Sequence, residues 1–483
     1  RLRVADQRST KEVAIMKVTL SLTDSQHSEL KQHLFPGDGK EAFAFALCGR
    51  RHGSEELELL VANIVPVAHS DCSVRTSEQV TWSTSILPDL IAKAEKDDFA
   101  IIKMHSHPNS YKSFSHYDDT SDQKFFQTLD TWIGDGQSHA SVIMLPDGKM
   151  FGRAINHENE FVDIASIKLV GDDINFWHKS QGLQVVPEHG RRIAQAFGEG
   201  TYHLLRQLKI AVVGCSGTGS LVAEILGRNC VGELVIVDPK KMEERNLNRI
   251  PQAYMRDVKQ EKYKVHVVEA AINAMELGTK VTALPLDLHH PAAIKATASC
   301  DLVVGCMDSV EGRHLLNRLS SFYLLPYFDV GVKLVADGQG GVDQVCGSVH
   351  YIKPGGSSLY SRGVYSLEMV HAEALYRSDP ETYAEQLKDG YIEGVHEEKP
   401  AVISVNMLYA SLAVNEMLAR LLPFRLESNS EYARHTISLS HGIYDRANHG
   451  EPCPLFAKHV GRGDVRPLLY MPGLSDIAEE ATV

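Results

Sequence analysis

Two histidines one residue apart, in His105-Ser-His107-Pro108, are followed by Ser115-His-Tyr-Asp118. On extended backbone, side chains at i and i+2 point to the same side. The run Ile101-Ile-Lys-Met104 just before them predicts that extended approach. Two imidazoles and one carboxylate make a nitrogen and oxygen donor set suited to Zn²⁺. Three protein ligands leave a fourth position open, the arrangement in which the metal lowers the pKa of its water to about 7. Such a nucleophile also needs a general base. Glu41 heads a β-like run, Glu41-Ala-Phe-Ala-Phe-Ala-Leu-Cys-Gly49, although composition alone does not separate it from the other acids. His116, Asp119 and Asp122 read as loop residues beside the ligands.

A second set of residues begins where the β-rich run Leu208–Val213 leads into Gly214-Cys-Ser-Gly217-Thr-Gly219-Ser220. A glycine-rich turn between strand and helix lets backbone N–H groups approach phosphates at the helix N-terminus. The spacing is Gly-x-x-Gly-x-Gly, with Ser216 where the dinucleotide fingerprint has its second glycine. Asp238 ends the next strand, nineteen residues after Gly219, where an acid can bind ribose hydroxyls. Downstream come Glu244-Arg-Asn246-Leu-Asn-Arg249, Lys262, and the strand-to-loop passage Asp301–Asp308, with Arg313 and Asn317 after it. A basic pair and an additional loop carboxylate suit ATP with Mg²⁺ better than a hydride carrier. Arg245 and Lys259 read as solvated charges. Lys264 competes with Lys262, and Cys215 and Cys306 read as small fillers of glycine-rich turns.

The first set resembles the motif of the JAMM (JAB/MPN) metalloproteases: an upstream Glu, His-x-His-Pro, six residues, then Ser-x-x-Asp. Six residues, Asn109 to Phe114, separate Pro108 from Ser115. The resemblance implies zinc on His105, His107 and Asp118. It implies Glu41 as the base that passes a proton from the zinc water to the leaving amine, and Ser115 as a hydrogen-bond donor to the oxyanion. That family cleaves after the C-terminal glycine of ubiquitin-like proteins.

The second set, over about residues 188–350 with Pro400–Leu422, resembles the ThiF/MoeB and ubiquitin-activating-enzyme superfamily, which adenylates that same C-terminal glycine. The resemblance implies a nucleotide loop of Gly214, Gly217 and Gly219, ribose on Asp238, phosphate on Asn246 and Arg249, Lys262 against the triphosphate, and Mg²⁺ on Asp308. Arg192 resembles the arginine that reaches a neighbouring subunit's ATP, and relatives pair through this domain, so a homodimer is expected. The chain departs from the family in lacking its zinc-binding Cys-x-x-Cys pairs. Residues 347–452 also contain no cysteine, although the family's thioester cysteine lies on the crossing loop. The covalent carrier is left between Cys346, Cys453, a serine of Ser357–Ser366, and none.

These residues need elements to hold them. Apolar runs at Glu41–Cys48, Leu57–Val67, Phe99–Met104 and Ala140–Leu145 predict strands, and Ser85–Lys96 and Ser121–Trp132 have helical spacing. This predicts an α/β metalloprotease-like domain over 12–160. A connector at 161–187 follows, then a Rossmann-like adenylating domain over 188–483 with a mainly parallel sheet. Glu233–Val237, Val281–Leu284 and Leu302–Val304 are its further strands, and Ser220–Asn229 and Met407–Leu422 its helices. Residues 350–400 read as a crossing-loop region.

The 483 residues carry a net charge of −13, which argues against a nucleic-acid binder that works by phosphate neutralisation. At 43% hydrophobic and 23% charged residues the chain has a globular composition. Eight cysteines without a paired pattern favour a reducing cytoplasm. No apolar run predicts a membrane span, and Arg1–Lys11 has no signal-peptide core.

The expected function is a bifunctional enzyme of a bacterial ubiquitin-like pathway, by analogy an antiviral one. It would use Zn²⁺, ATP and Mg²⁺, with a ubiquitin-like modifier and a ubiquitin-conjugating-like enzyme as partners. The alternatives are sulfur-carrier activation and a non-catalytic scaffold.

Overall fold

The computed structural model describes residues 17–156, 159–179, 185–337, 339, 341–388 and 400–474. In the first unit the elements are β1 (Lys17–Thr23), α1 (Asp24–Leu34), β2 (Phe43–His52), β3 (Glu56–Pro66), β4 (Cys72–Arg75), β5 (Val80–Trp82), α2 (Leu87–Asp97), β6 (Ala100–Ser106), α3 (His116–Ile133), β7 (His139–Met144), β8 (Met150–Ile155), β9 (Phe161–Val170) and β10 (Ile174–His178). One sheet runs β1-β3-β2-β6-β7-β8-β9-β10, and a further β1–β9 pairing closes it on itself. β4 and β5 form a separate hairpin.

Strand β2 shows why the apolar runs are continuous. Its alternate residues enter two cores: Ala44, Ala46 and Cys48 face one, while Phe43, Phe45 and Leu47 face the other with α2 and α3. Residues 161–178 are therefore not a connector. They form β9 and β10 of the first sheet, and polar Asp163, Ser166 and Lys168 on β9 mask the strand pattern. Of the expected connector, 180–184 lie outside the described residues, as do 12–16 of the first domain.

The second unit contains α4 (Arg191–Phe197), α5 (Glu199–Gln207), β11 (Lys209–Val213), α6 (Gly217–Arg228), β12 (Glu233–Val237), α7 (Met255–Lys259), α8 (Lys264–Asn273), β13 (Lys280–Leu284), α9 (Pro291–Ala298), β14 (Leu302–Gly305), α10 (Val310–Tyr323), β15 (Tyr327–Ala336), β16 (Val342–Ile352), α11 (Leu367–Ser378), α12 (Pro380–Lys388), α13 (Ile403–Leu421), β17 (Arg434–Ser438) and β18 (Ile443–Ala447). The sheet order is β13-β12-β11-β14-β15-β16-β17-β18. Along β11, Ile210 and Val212 face a core with α6 and α13, while Ala211 and Val213 face one with α9 and α10. Helices thus cover both faces, as a parallel sheet requires.

The expectation of a mainly parallel sheet needs correction. β13 to β15 pair in parallel, but β15 to β18 pair antiparallel. The short connection at 337–341 suits a hairpin and leaves no room for a crossover helix. The crossing-loop region is also not a plain loop, since α11 and α12 lie in it, while 389–399 lie outside the described residues. Among the described residues no helix is long and apolar enough to cross a membrane.

The two units are docked by polar contacts. The β9–β10 turn enters the second unit, where Tyr351 Oη donates to Gly171 O at 2.6 Å and Arg420 Nη1 to Asp172 O at 2.7 Å. Lys353 Nζ lies 2.8 Å from Asp24 Oδ2 and 3.1 Å from Asp172 Oδ1. A strap at 461–464 runs along β2, with Gly49 N donating to Gly461 O at 3.1 Å and Asp464 N to Arg50 O at 2.7 Å. Gly461 has φ +68°, and a Cβ there would stand 2.3 Å from Val61 O, so only glycine fits.

Candidate functional site

In the first unit, His105 is the penultimate residue of β6, His107 follows the strand, and Asp118 lies in the first turn of α3. His105 Nε2 stands 3.2 Å from His107 Nε2 and 3.3 Å from Asp118 Oδ1. All three donor atoms lie within 4.8 Å of one another. Donors around a tetrahedral zinc with bonds of ~2.0–2.1 Å are ~3.3 Å apart, so the set fits that ion. His107 Nδ1–H donates to Tyr111 O at 2.8 Å, which fixes the tautomer and turns Nε2 toward the cluster. Burial works against the charge on Asp118, but the neighbouring imidazoles of His105 and His107 and the hydrogen bonds from Ser115 outweigh it and hold the carboxyl well below the usual range.

Glu41 sits just ahead of β2, and its Oε1 is 4.0 Å from His107 Nε2. Burial pushes its carboxyl up to about 7. Ser106 Oγ accepts from Ala42 N at 3.0 Å and ties this segment to β6. The sequence motif thus comes together in space.

Ser115, expected to face an oxyanion, is engaged with Asp118. Ser115 Oγ donates to Asp118 Oδ2 at 2.7 Å and accepts from Asp118 N at 3.1 Å, capping α3. A hydroxyl has one proton to give, and in this structure Ser115 gives it to Asp118. Asp119 and Asp122 are not loop residues either. Both lie on α3, where Asp122 Oδ1 accepts from Lys103 Nζ at 2.6 Å and Arg153 pairs with both carboxylates.

In the second unit the turn between β11 and α6 is built to glycine tolerances. Gly214 has φ +88°, and a Cβ on Gly219 would fall 1.7 Å from Gly214 O. Asp238, just past β12, accepts from Cys215 N at 2.8 Å and from Lys240 N at 2.8 Å. Arg249 lies against the turn, since a Cβ on Gly217 would meet its Cδ at 2.9 Å. Arg249 and exposed Asp308 act on one another electrostatically. Asn246 is buried, and its Oδ1 accepts from Glu243 N at 3.1 Å, so it shapes the segment that carries Arg249.

The two candidate lysines sit in different settings. Lys262 Nζ bonds Asp257 Oδ1 at 2.8 Å, with its side chain 44% exposed. Lys264 is buried, and Asp238, Lys240, Glu243 and Arg249 are the charges around it. Burial lowers its pKa. The sequence offered both lysines, and two residues of spacing could not choose between them.

Arg192 is exposed on α4, which packs on α5, and it is not part of this cluster. Asn406, near the start of α13, was missed by motif reading; its side chain meets Thr218 Oγ1 at 2.9 Å. Asn317 is structural: its Nδ2 donates to Tyr365 Oη at 3.1 Å and its Oδ1 accepts from Leu359 N at 3.2 Å. Cys453 is fully buried, whereas Cys346 on β16 is partly exposed.

A sheet whose β13 to β15 half is parallel, with helices on both faces and a glycine turn after β11, defines a nucleotide-binding α/β unit. The chain belongs to the ThiF family, whose model matches residues 189–453. It is 27% identical over 169 residues to ubiquitin-like modifier-activating enzyme 5 of Aedes aegypti, covering 33% of this chain and 41% of that one. The match to the Xenopus laevis enzyme of the same name has the same identity and coverage. The chain thus spans 41% of the length of these relatives. Among solved structures, E. coli MccB with ATP has a TM-score of 0.42 at 17% identity, covering 58% of this chain and 76% of that chain. The microcin C7 biosynthetic enzyme MccB in complex with N-formylated MccA has a TM-score of 0.43 at 14% identity, covering 86% and 99%.

Proposed function

We propose that the chain is a bifunctional enzyme acting on the C-terminal glycine of a ubiquitin-like protein. The second unit adenylates that carboxylate. The carrying observation is the Gly214–Gly219 turn, locked to Asp238 and bordered by Arg249, Lys264 and Asp308. Membership of the ThiF family and the likeness to modifier-activating enzymes support this reading. Main-chain N–H groups at the start of α6 receive phosphate, and Asp238 binds the ribose. Arg249 and Lys264 neutralise the triphosphate as a carboxylate oxygen attacks the α-phosphorus and pyrophosphate leaves. Asp308 would hold Mg²⁺, which would supply charge to offset the phosphates.

A buried Cys453 argues against a thioester there; in this scheme the activity ends at the acyl-adenylate, which a partner's nucleophile consumes, with partly exposed Cys346 and the Ser357–Ser366 stretch as the alternative carriers. A ubiquitin-conjugating-like enzyme is the partner in this scheme. A homodimer would let Arg192 act on the neighbouring subunit's nucleotide.

The first unit cleaves the bond after the same glycine, and the meeting of His105, His107, Asp118 and Glu41 supports this. Zn²⁺ held by the first three would supply Lewis-acid activation of water and of the scissile carbonyl. Glu41 takes a proton at its carboxylate and delivers it to the leaving nitrogen. Ser115 keeps Asp118 in place.

The test is modifier-dependent exchange of pyrophosphate into ATP, which Asp308→Ala abolishes. Unchanged exchange in that variant rejects the nucleotide assignment. Cleavage of a modifier precursor is lost in Glu41→Gln while zinc stays bound, and retained cleavage places the base elsewhere.

A further inference from the structure

Glu41 precedes the first ladder residue of β2, so the sheet alone does not fix it. Its peptide is held instead by the β4–β5 hairpin. Glu41 N donates to Thr76 O at 2.7 Å, and Glu41 O accepts from Arg75 Nε at 2.9 Å. The other face of the same guanidinium pairs with Asp38, with Arg75 Nη1 3.0 Å from Asp38 Oδ2 and Nη2 3.4 Å from Asp38 Oδ1. Arg75 is 12% exposed, well inside the structure for a charged side chain. One planar fork therefore ties residues 38 to 41 to the hairpin.

We infer that Arg75 is a positioning residue for the peptidase reaction: with the Thr76 carbonyl, it brackets the Glu41 peptide and sets where the Glu41 carboxylate stands relative to His107. The inference rests on the peptidase reading above. A general base must sit within hydrogen-bond reach of the proton it takes. Arg75 touches neither the metal ligands nor the reacting atoms, so its loss displaces the base and leaves the ligand set intact. Lysine at this position is a single-point donor and cannot hold both the Glu41 carbonyl and the Asp38 carboxylate.

The experiment uses full-length protein with zinc and, as probe, ubiquitin carrying a C-terminal 7-amino-4-methylcoumarin amide. Arg75→Ala should lower kcat by about 10²-fold, the scale of a 1 Å misplacement. KM should stay within about twofold and zinc at the wild-type stoichiometry by metal analysis. Arg75→Lys should recover part of kcat, and Asp38→Asn, which spares the Glu41 contact, should remain near wild type. A wild-type kcat in Arg75→Ala overturns the inference, and so does a fall in kcat that tracks loss of zinc or of melting temperature. Wild-type protein that binds zinc yet leaves the amide intact overturns the peptidase reading itself, and the positioning role with it.

Discussion

The main-chain N–H of Cys215 donates to Asp238 Oδ2 at 2.8 Å, joining the glycine turn to the end of the second parallel strand. The turn and the carboxylate proposed to bind ribose are thereby one preformed object. Asp238→Asn keeps an acceptor for Cys215 N but loses the charge and one ribose acceptor. The variant should fold, with KM for ATP in pyrophosphate exchange raised about tenfold, or ~1.4 kcal/mol. An unchanged KM would remove Asp238 from the nucleotide site.

Lys262 and Lys264 are separated by environment. Lys264→Ala should cut exchange about 10²-fold or more, the cost of removing a transition-state charge contact. Lys262→Ala breaks only a half-exposed pair with Asp257 and should leave exchange within about twofold. The reverse pattern would restore the assignment made from sequence.

His107→Ala removes one of three donors and should abolish stoichiometric zinc binding, measured by metal analysis after gel filtration. Adenylate formation in the same variant should be retained, because the nucleotide residues lie in the other unit. Loss of both activities together would show that the ligands mainly support the fold.

His289 provides a test with pH. Its Nδ1 is 2.8 Å from Asp287 Oδ1, and its Nε2 is 3.2 Å from Glu311 Oε1 in the first turn of α10. Arg377 of α11 reaches Glu311 at 2.8 Å, and Glu373 accepts from Glu311 N at 2.7 Å. Burial disfavours the imidazolium, but the two carboxylates outweigh it and raise the pKa to about 9. A pKa raised on folding stabilises fully below the unfolded value, near 6.5, and that stability is lost as pH climbs through about 9. The melting temperature of wild type should therefore exceed that of His289→Gln most at pH 6–7, with the gap closing toward about pH 10. A gap that grows with pH would contradict the charged histidine.

The strap makes a prediction about docking. Gly461→Ala forces a side chain into a left-handed position 2.3 Å from Val61 O. A cost of ~1–3 kcal/mol is expected, seen as a lower melting temperature. Amide exchange should accelerate at Gly49 and His52, whose N–H groups donate to Gly461 O and Asp464 Oδ2. Unchanged exchange at both would mean that the strap does not hold the units together.

The sequence by itself determined what depends on short-range backbone geometry. A His-x-His pair on an extended run and Ser-x-x-Asp at a helix start are local patterns, and the structure brings those four residues together. The glycine turn was equally legible, because only glycine tolerates the Gly214 conformation and the approach of Gly219. The apolar runs marked most central strands, since burial on both faces leaves them continuously hydrophobic.

Tertiary structure decided the rest. Whether Lys262 or Lys264 faces Asp238 depends on how the segment before α8 packs. Burial of Cys453, whose N–H donates to Gly356 O, is set by contacts far away in the chain, as is the approach of Asp118 on α3 to His105 on β6. The strands at 161–178 were hidden by their polar residues, and only the pairing of β9 with β8 and β1, and of β10 with β9, makes them part of a sheet. Side-chain period tells which face of an element is apolar. It carries no information about which distant element covers that face.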